Sequence, residues 1–362
     1  MKKRILALLS AAVLLLTGCS AVLDREFFSV HPHNAALMDE TDPAAFRADS
    51  YQEIVNALMY LVSQGSESGR LRIYLDPEQI DGFLKAACHE VVEEDPLGAY
   101  AVEFIRHQVT TEPDCSEAKV VISYRRTQEQ IRSIVSATGS TAIRGELKAA
   151  LASFQPECTL RLGYFDQDEA YLQLLTRQAY YDDPLSALDF PEVSVQMCPD
   201  HGRQRIVELR MEYHLSPSQL AERRNEVNEA LILLQRAIPF ISNRQDLRPI
   251  SSIIRRRIIY DPVLGGNTPW HALTQGRANS EGLALTFAAL CQKVDIPCRV
   301  ADGTLDGQEH FWNVVGTPEG WRHLDLTEAV EHPLLRVDTQ MPEEGYAWLQ
   351  DSLPRCAHAS RP

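Results

Sequence analysis

Three residues in the last third of the chain have the types and order that acyl-transfer chemistry needs: Ser280, His310 and Asp325. A hydroxyl or thiol attacks, an imidazole takes its proton, and a carboxylate fixes the imidazole's tautomer and orientation. Asn313, three residues after the histidine, and Trp270, ten before the serine, are candidate binding residues. No cluster of His, Cys, Asp and Glu shows metal-ligand spacing, so neither a metal nor a cofactor is expected.

The surrounding sequence supplies elements to position these groups. Ala278-Asn279-Ser280-Glu281-Gly282-Leu283-Ala284 opens a helical run to Cys291 with Ser280 at its start. Ile296-Pro297-Cys298-Arg299-Val300 reads as a strand, His310-Phe311-Trp312-Asn313 as a second, and Trp321-Arg322-His323-Leu324-Asp325-Leu326-Thr327 as a third. Trp312 and Trp321 are expected to pack the sheet, and His323 is given no role. Cys291 lies eleven residues beyond Ser280 on the same helix, about 16 Å away at 1.5 Å per residue, too far to replace it. Cys298 is expected to pack in the core.

This stretch, about Leu247 to Thr327, resembles the core of the transglutaminase-like (papain-like) superfamily. That pattern is roughly G-x-C-x-G-x-A, G-I-P-x-R-x-V, H-x-W-N and W-x-x-x-D-x-T. The upstream Tyr260-Asp261, Trp270-His271-Ala272-Leu273 and Gly276-Arg277 resemble the helix end and loop by which bacterial members reach the nucleophile. The resemblance implies a helix packed on an antiparallel sheet, with His310 and Asp325 as base and acid. It also exposes one departure: Ser280 stands where the family carries its catalytic cysteine. A helix N-terminus and a neighbouring imidazole stabilise a thiolate, whereas a hydroxyl has no accessible anion near neutral pH. The expected function is therefore a degenerate domain that binds a peptide, cell-wall or protein ligand. The alternative is an active hydrolase or acyl transferase using a Ser280-His310-Asp325 triad.

The chain has 362 residues and a formal charge of −15, enough length for several cores. Such a surface repels nucleic acid, and no nucleic-acid partner is expected. Lys2-Lys3-Arg4, an apolar run from Ile5 to Leu16 and Thr17-Gly18-Cys19 read as a signal peptide, residues 1–18. Leu16-Thr17-Gly18-Cys19 resembles a bacterial lipobox, implying a lipid on Cys19. The expectation is a lipid anchor at the bacterial cell membrane, with the protein on the extracytoplasmic side. Seven further cysteines follow, an odd number with no pair at C-x-x-C spacing. Residues 19–50, including His31 and His33, read as a polar tether.

From Tyr51 the chain repeats itself. Asp95-Pro96-Leu97-Gly98-Ala99 returns as Asp183-Pro184-Leu185-Ser186-Ala187, and Pro113-Asp114 as Pro199-Asp200. The offset stays at about 86–89 residues, too steady for chance. Two α+β modules of order αβαββα are expected, 51–138 and 139–241, followed by the transglutaminase-like domain at 242–362. Ser216-Pro217-Ser218-Gln219 opens a long helix with a capping box. Ser242-Asn243-Arg244-Gln245 marks the expected boundary, with Asp246 capping the next helix. Arg255-Arg256-Arg257 points around a helix and reads as a solvated face.

Overall fold

The computed structural model describes residues 36–238, 247–328 and 334–357. Cys19, the signal segment, His31 and His33, the expected boundary at 242–245 and the Asp246 cap lie outside them. The protein is a mixed α+β chain that divides into two units, one ending at Ile131 and the other beginning at Arg132.

In the first unit β1 (Phe46–Ala48), α1 (Tyr51–Ser63), β2 (Ser68–Ile73), α2 (Pro77–His89), α3 (Pro96–Ala101), β3 (Val102–Thr111) and β4 (Ser116–Tyr124) follow in order. Each helix starts where its sequence supplies a cap. Ser50 accepts from the Glu53 N–H, Asp76 from Glu78 and Asp95 from Gly98, the last two with Pro at the first helical position. Ile54, Val55, Leu58, Leu61 and Val62 form the buried face of α1. The sheet runs β1-β2-β4-β3, with β1 parallel to β2 and the other pairs antiparallel.

Here the expected tether is corrected. Folded structure begins well before residue 50, because β1 adds to the sheet edge and Asp39 is buried. The Asp39 carboxylate accepts from the Thr41 hydroxyl and backbone and from the Tyr74 hydroxyl at 2.8 Å. Short irregular segments read as linkers unless such cross-chain bonds are seen.

The second unit opens after α4 (Gln128–Arg132) with β5 (Val135–Ala137), α5 (Gly139–Ala152), β6 (Glu157–Leu162), α6 (Glu169–Tyr181), β7 (Glu192–Cys198) and β8 (Arg205–Glu212). Its sheet runs β5-β6-β8-β7, again one parallel pair followed by two antiparallel ones. In each case a three-residue strand precedes the first helix, so the first unit runs βαβααββ and the second opens βαβαββ, where αβαββα was expected. The 138/139 division moves with it, since β5 pairs with β6. The DPLxA echo also diverges: Pro96–Ala101 is helical, whereas residues 183–187 form a turn.

Next come α7 (Pro217–Ala237), α8 (Leu247–Arg257), β9 (Ile259–Tyr260), α9 (Pro269–Gln275), β10 (Arg277–Ala278), α10 (Ser280–Lys293), β11 (Cys298–Leu305), β12 (Gln308–Thr317), β13 (Gly320–Leu324) and β14 (Tyr346–Trp348). The capping box at Ser216 and Gln219 is formed. The antiparallel sheet β13-β12-β11-β14 carries α10 on one face. Every residue of α10 from Gly282 to Cys291 is buried, so it is a core helix rather than an amphipathic one.

The expected division at 241/242 does not separate two cores. Leu172, Leu175 and Tyr181 of α6 share one apolar cluster with Ala284, Leu285 and Ala288 of α10 and Phe311 of β12. Burying those surfaces against each other makes the second module and the following domain one cooperative body.

Candidate functional site

Ser280 is the first residue of α10 because Asn279 caps it, its side chain accepting from the Gly282 N–H at 3.0 Å. The approach is fixed by backbone pairing. Ala278 pairs with Tyr260 across the parallel β9–β10 ladder, and the Asn279 N–H donates to the Gly266 carbonyl at 3.1 Å. Gly282 is required at its position: a Cβ there would lie 2.4 Å from the Gly266 oxygen. The loop before the helix therefore lies directly against its first turn.

His310 on β12 and Asp325 just past β13 are brought together. The His310 Nε2 donates to Asp325 Oδ2 at 2.7 Å, both side chains buried. Asp325 also accepts from the Tyr346 hydroxyl at 2.8 Å and, on Oδ1, from the Thr327 backbone and hydroxyl, both at 2.8 Å. Burial pushes the Asp325 pKa up, but the hydrogen bond and charge of His310 with the two Thr327 bonds outweigh it and hold it below the ordinary value. The carboxylate is thus ionised at neutral pH, the imidazole proton sits on Nε2, and Nδ1 is left as the basic nitrogen. Trp312 stacks beside the ring at 6.3 Å between centroids, and Tyr346 meets it edge-on at 5.9 Å.

Charges at and beside this pair are felt by two residues near Ser280. Tyr260, the partner of Ala278, has its hydroxyl pKa raised by burial and by the charge of Asp325. On the other flank Glu281 feels the charge of Glu309, the neighbour of His310. One turn further on, Asn313 Nδ2 donates to the Ala284 carbonyl at 2.9 Å, fastening α10 to β12. Ser280 and His310 are both nearly closed to solvent, 9% and 6% exposed.

The structure adds residues that sequence reasoning missed. Tyr346 completes the Asp325 shell from β14, a three-residue strand with no distinguishing pattern. Tyr181 of α6 donates its hydroxyl to Glu281 Oε1 at 2.8 Å. Burial lifts the Glu281 pKa to about 7 against the bonds from Tyr181 and Asn267 and the charge of Arg177. Arg177 in turn reaches Asp302 at 2.7 Å and Glu309 at 2.6 Å. The Tyr180-Tyr181 pair at a helix end was the available signal.

Trp270 is engaged by α7. Its indole N–H donates to Glu226, and Arg223 lies over its ring at 3.9 Å, so α7 already occupies it. Asn313 sits beside α10, fully buried, with its Oδ1 unpaired. A cavity of about 630 Å³ opens between α5 and α6 beside Lys148, Arg299 and Leu349, and its lining includes neither Ser280 nor His310.

His323, Asp338 and Cys356 bring potential ligand atoms within 4.8 Å of one another. Their bonding opposes a metal. Trp312 Nε1, a donor only, bonds His323 Nδ1 at 2.9 Å, which places the imidazole proton on Nε2, where it bonds Asp338 at 2.9 Å. No lone pair remains on this histidine, and the trio is a hydrogen-bonded strut behind the sheet.

Nucleophile position at a helix start, imidazole on a strand and carboxylate on the next define a papain-like arrangement. Residues 242–326 match the model of the transglutaminase-like superfamily, and this stretch is a transglutaminase-like domain. No curated protein matches the chain. Among solved structures it is similar to one described as a TGase, at 11% identity over 58% of this chain and 61% of that one, with a TM-score of 0.28. A candidate cysteine protease from Cytophaga hutchinsonii shares 13% identity over 40% of this chain and 65% of its own, TM-score 0.26. Menin, in a structure describing its binding site for Mixed Lineage Leukemia (MLL) protein, shares 13% over 56% and 40%, TM-score 0.26. The chain spans under two thirds of the length of each.

Proposed function

We propose that the transglutaminase-like domain is a pseudoenzyme that binds a peptide, cell-wall or protein ligand beside the first turn of α10. One observation supports this reading: Ser280 starts α10, at the position where the family pattern carries its nucleophile, in a domain whose His310–Asp325 pair is formed. The helix N-terminus and imidazole would hold a thiolate there, but they cannot generate an alkoxide at neutral pH. Glu281 weakens the case for chemistry further. With a pKa lifted to about 7, it carries partial negative charge on the residue after Ser280, unfavourable to a reaction that builds more nearby.

In this reading the protein is held at the extracytoplasmic side of a bacterial membrane through lipid on Cys19. The two four-stranded sheets, alike in strand order and pairing, are duplicated modules. The module next to the domain supplies Tyr181 and Arg177 to the edge of the site.

The second reading, acyl transfer by Ser280, His310 and Asp325, is favoured by the 2.7 Å His310–Asp325 bond. A serine-directed fluorophosphonate separates the two. The pseudoenzyme stays unlabelled at Ser280. Labelling that disappears in Ser280→Ala would establish the triad instead.

A further inference from the structure

We propose that the cavity between α5 and α6 is a second binding site, for a short peptide with free, charged ends and an apolar side chain. Its volume, about 630 Å³, lies within the roughly 300–1,000 Å³ of small-molecule sites. Its lining excludes Ser280, so the inference is independent of the pseudoenzyme reading.

The charges of the lining divide into committed and uncommitted. Arg144 of α5 grips the Asp182 carboxylate with two nitrogens and reaches Gln178 Oε1 with a third at 3.2 Å, bridging α5 to α6. Such a bidentate pair satisfies both partners. Lys148 follows one turn later on the same face of α5. It has no ion-pair partner among the described residues, and neither has Arg299 on β11. Asp351, in the short turn Gln350–Ser352 after β14, is likewise unpaired among the described residues.

In a chain with a formal charge of −15, two uncommitted cations lining one cavity are a local reversal of sign. An uncommitted acid in the same lining calls for a ligand of both signs: a carboxylate for Lys148 and Arg299, an ammonium for Asp351. The rest of the wall is partly apolar. Leu174 and Leu349 expose their side chains there, Leu175 is buried, and the Tyr171 ring rests against Phe165. Covering those leucines with an apolar group removes their surface from water, which favours binding. An ammonium and a carboxylate joined through an apolar residue are the chemistry of a short peptide, and the volume leaves room for more than a single amino acid.

The test is isothermal titration calorimetry of the purified full chain with the tripeptide alanyl-leucyl-alanine as probe. The tripeptide should bind. Blocking either of its ends, by amidation or by N-acetylation, should weaken binding about fivefold or more, between the worth of an exposed ion pair and that of a buried charge-assisted bond. Arg299→Gln, Lys148→Gln and Asp351→Asn should each weaken it to a similar degree. In a variant carrying both Arg299→Gln and Lys148→Gln, amidation should cost nothing further, because the contact it removes is already gone. These side chains have no ion pair to lose, so the variants should keep the parent's Tm. No binding at millimolar peptide, or binding indifferent to every one of these charge changes, overturns the proposal. So does binding that survives the double variant and is lost in His310→Ala, which would place the peptide beside α10 and support the earlier reading instead.

Discussion

The Tyr181 hydroxyl, on α6, donates to the carboxyl of Glu281, the residue next to Ser280, at 2.8 Å. The edge of the site is thus built by two segments a hundred residues apart, within one shared core.

That contact has a pH signature. Burial raises the Glu281 pKa from 4.5 to about 7, so the folded state holds a proton that the unfolded chain releases. The associated stability is complete below about pH 4.5 and is lost as pH rises towards and through 7. Between pH 5 and pH 8 the loss should be on the order of 2–3 kcal/mol. Urea denaturation across that range should show the decline, and Glu281→Gln should flatten it.

Asp325 has the opposite sign. Its pKa is held below the ordinary value, so its contribution is present above about pH 4 and fades only in stronger acid. Tyr346→Phe removes one of its four hydrogen bonds while keeping the ring against His310 and Trp312. A cost of about 1–2 kcal/mol is expected, because the acceptor is charged and buried. Chemical denaturation at pH 7 measures it, and a neutral result would mean that the hydroxyl is dispensable to the carboxylate.

Trp270 should behave as a structural residue. Its ring sits under Arg223 and its N–H on Glu226, so Trp270→Ala should cost about 2 kcal/mol of stability through lost packing and cation–π contact. Thiol reactivity of a cysteine introduced at position 280 should stay within about twofold, since only geometry remote from the helix start is changed. A large change in that reactivity would return Trp270 to the site.

The readable part of this molecule was what local chemistry dictates. Asn279-Ser280, Ser216-Pro217-Ser218-Gln219 and the spaced His310, Asn313 and Asp325 carry their own signals, because caps and motif spacing act over a few residues. The strands β1 and β5 stayed hidden because three residues hold no periodicity and pair only with distant partners. Tyr346 and Tyr181 were hidden for the same reason. Each meets its partner through tertiary packing, 21 and 100 residues away along the chain. The boundary near 241 misled because composition shifts mark linkers, while cores are set by which apolar faces meet.

The central claim is a cysteine-type site intact in shape with oxygen in the place of sulfur. Ser280→Cys restores the sulfur, and iodoacetamide alkylation at position 280, followed by site-resolved mass spectrometry across pH, reads its environment. A helix N-terminus and the His310–Asp325 pair should make that thiol titrate at least one pH unit below the ordinary value of about 8.5, and His310→Ala should abolish the low-pH reactivity. An ordinary profile near 8.5, indifferent to His310, would contradict the account.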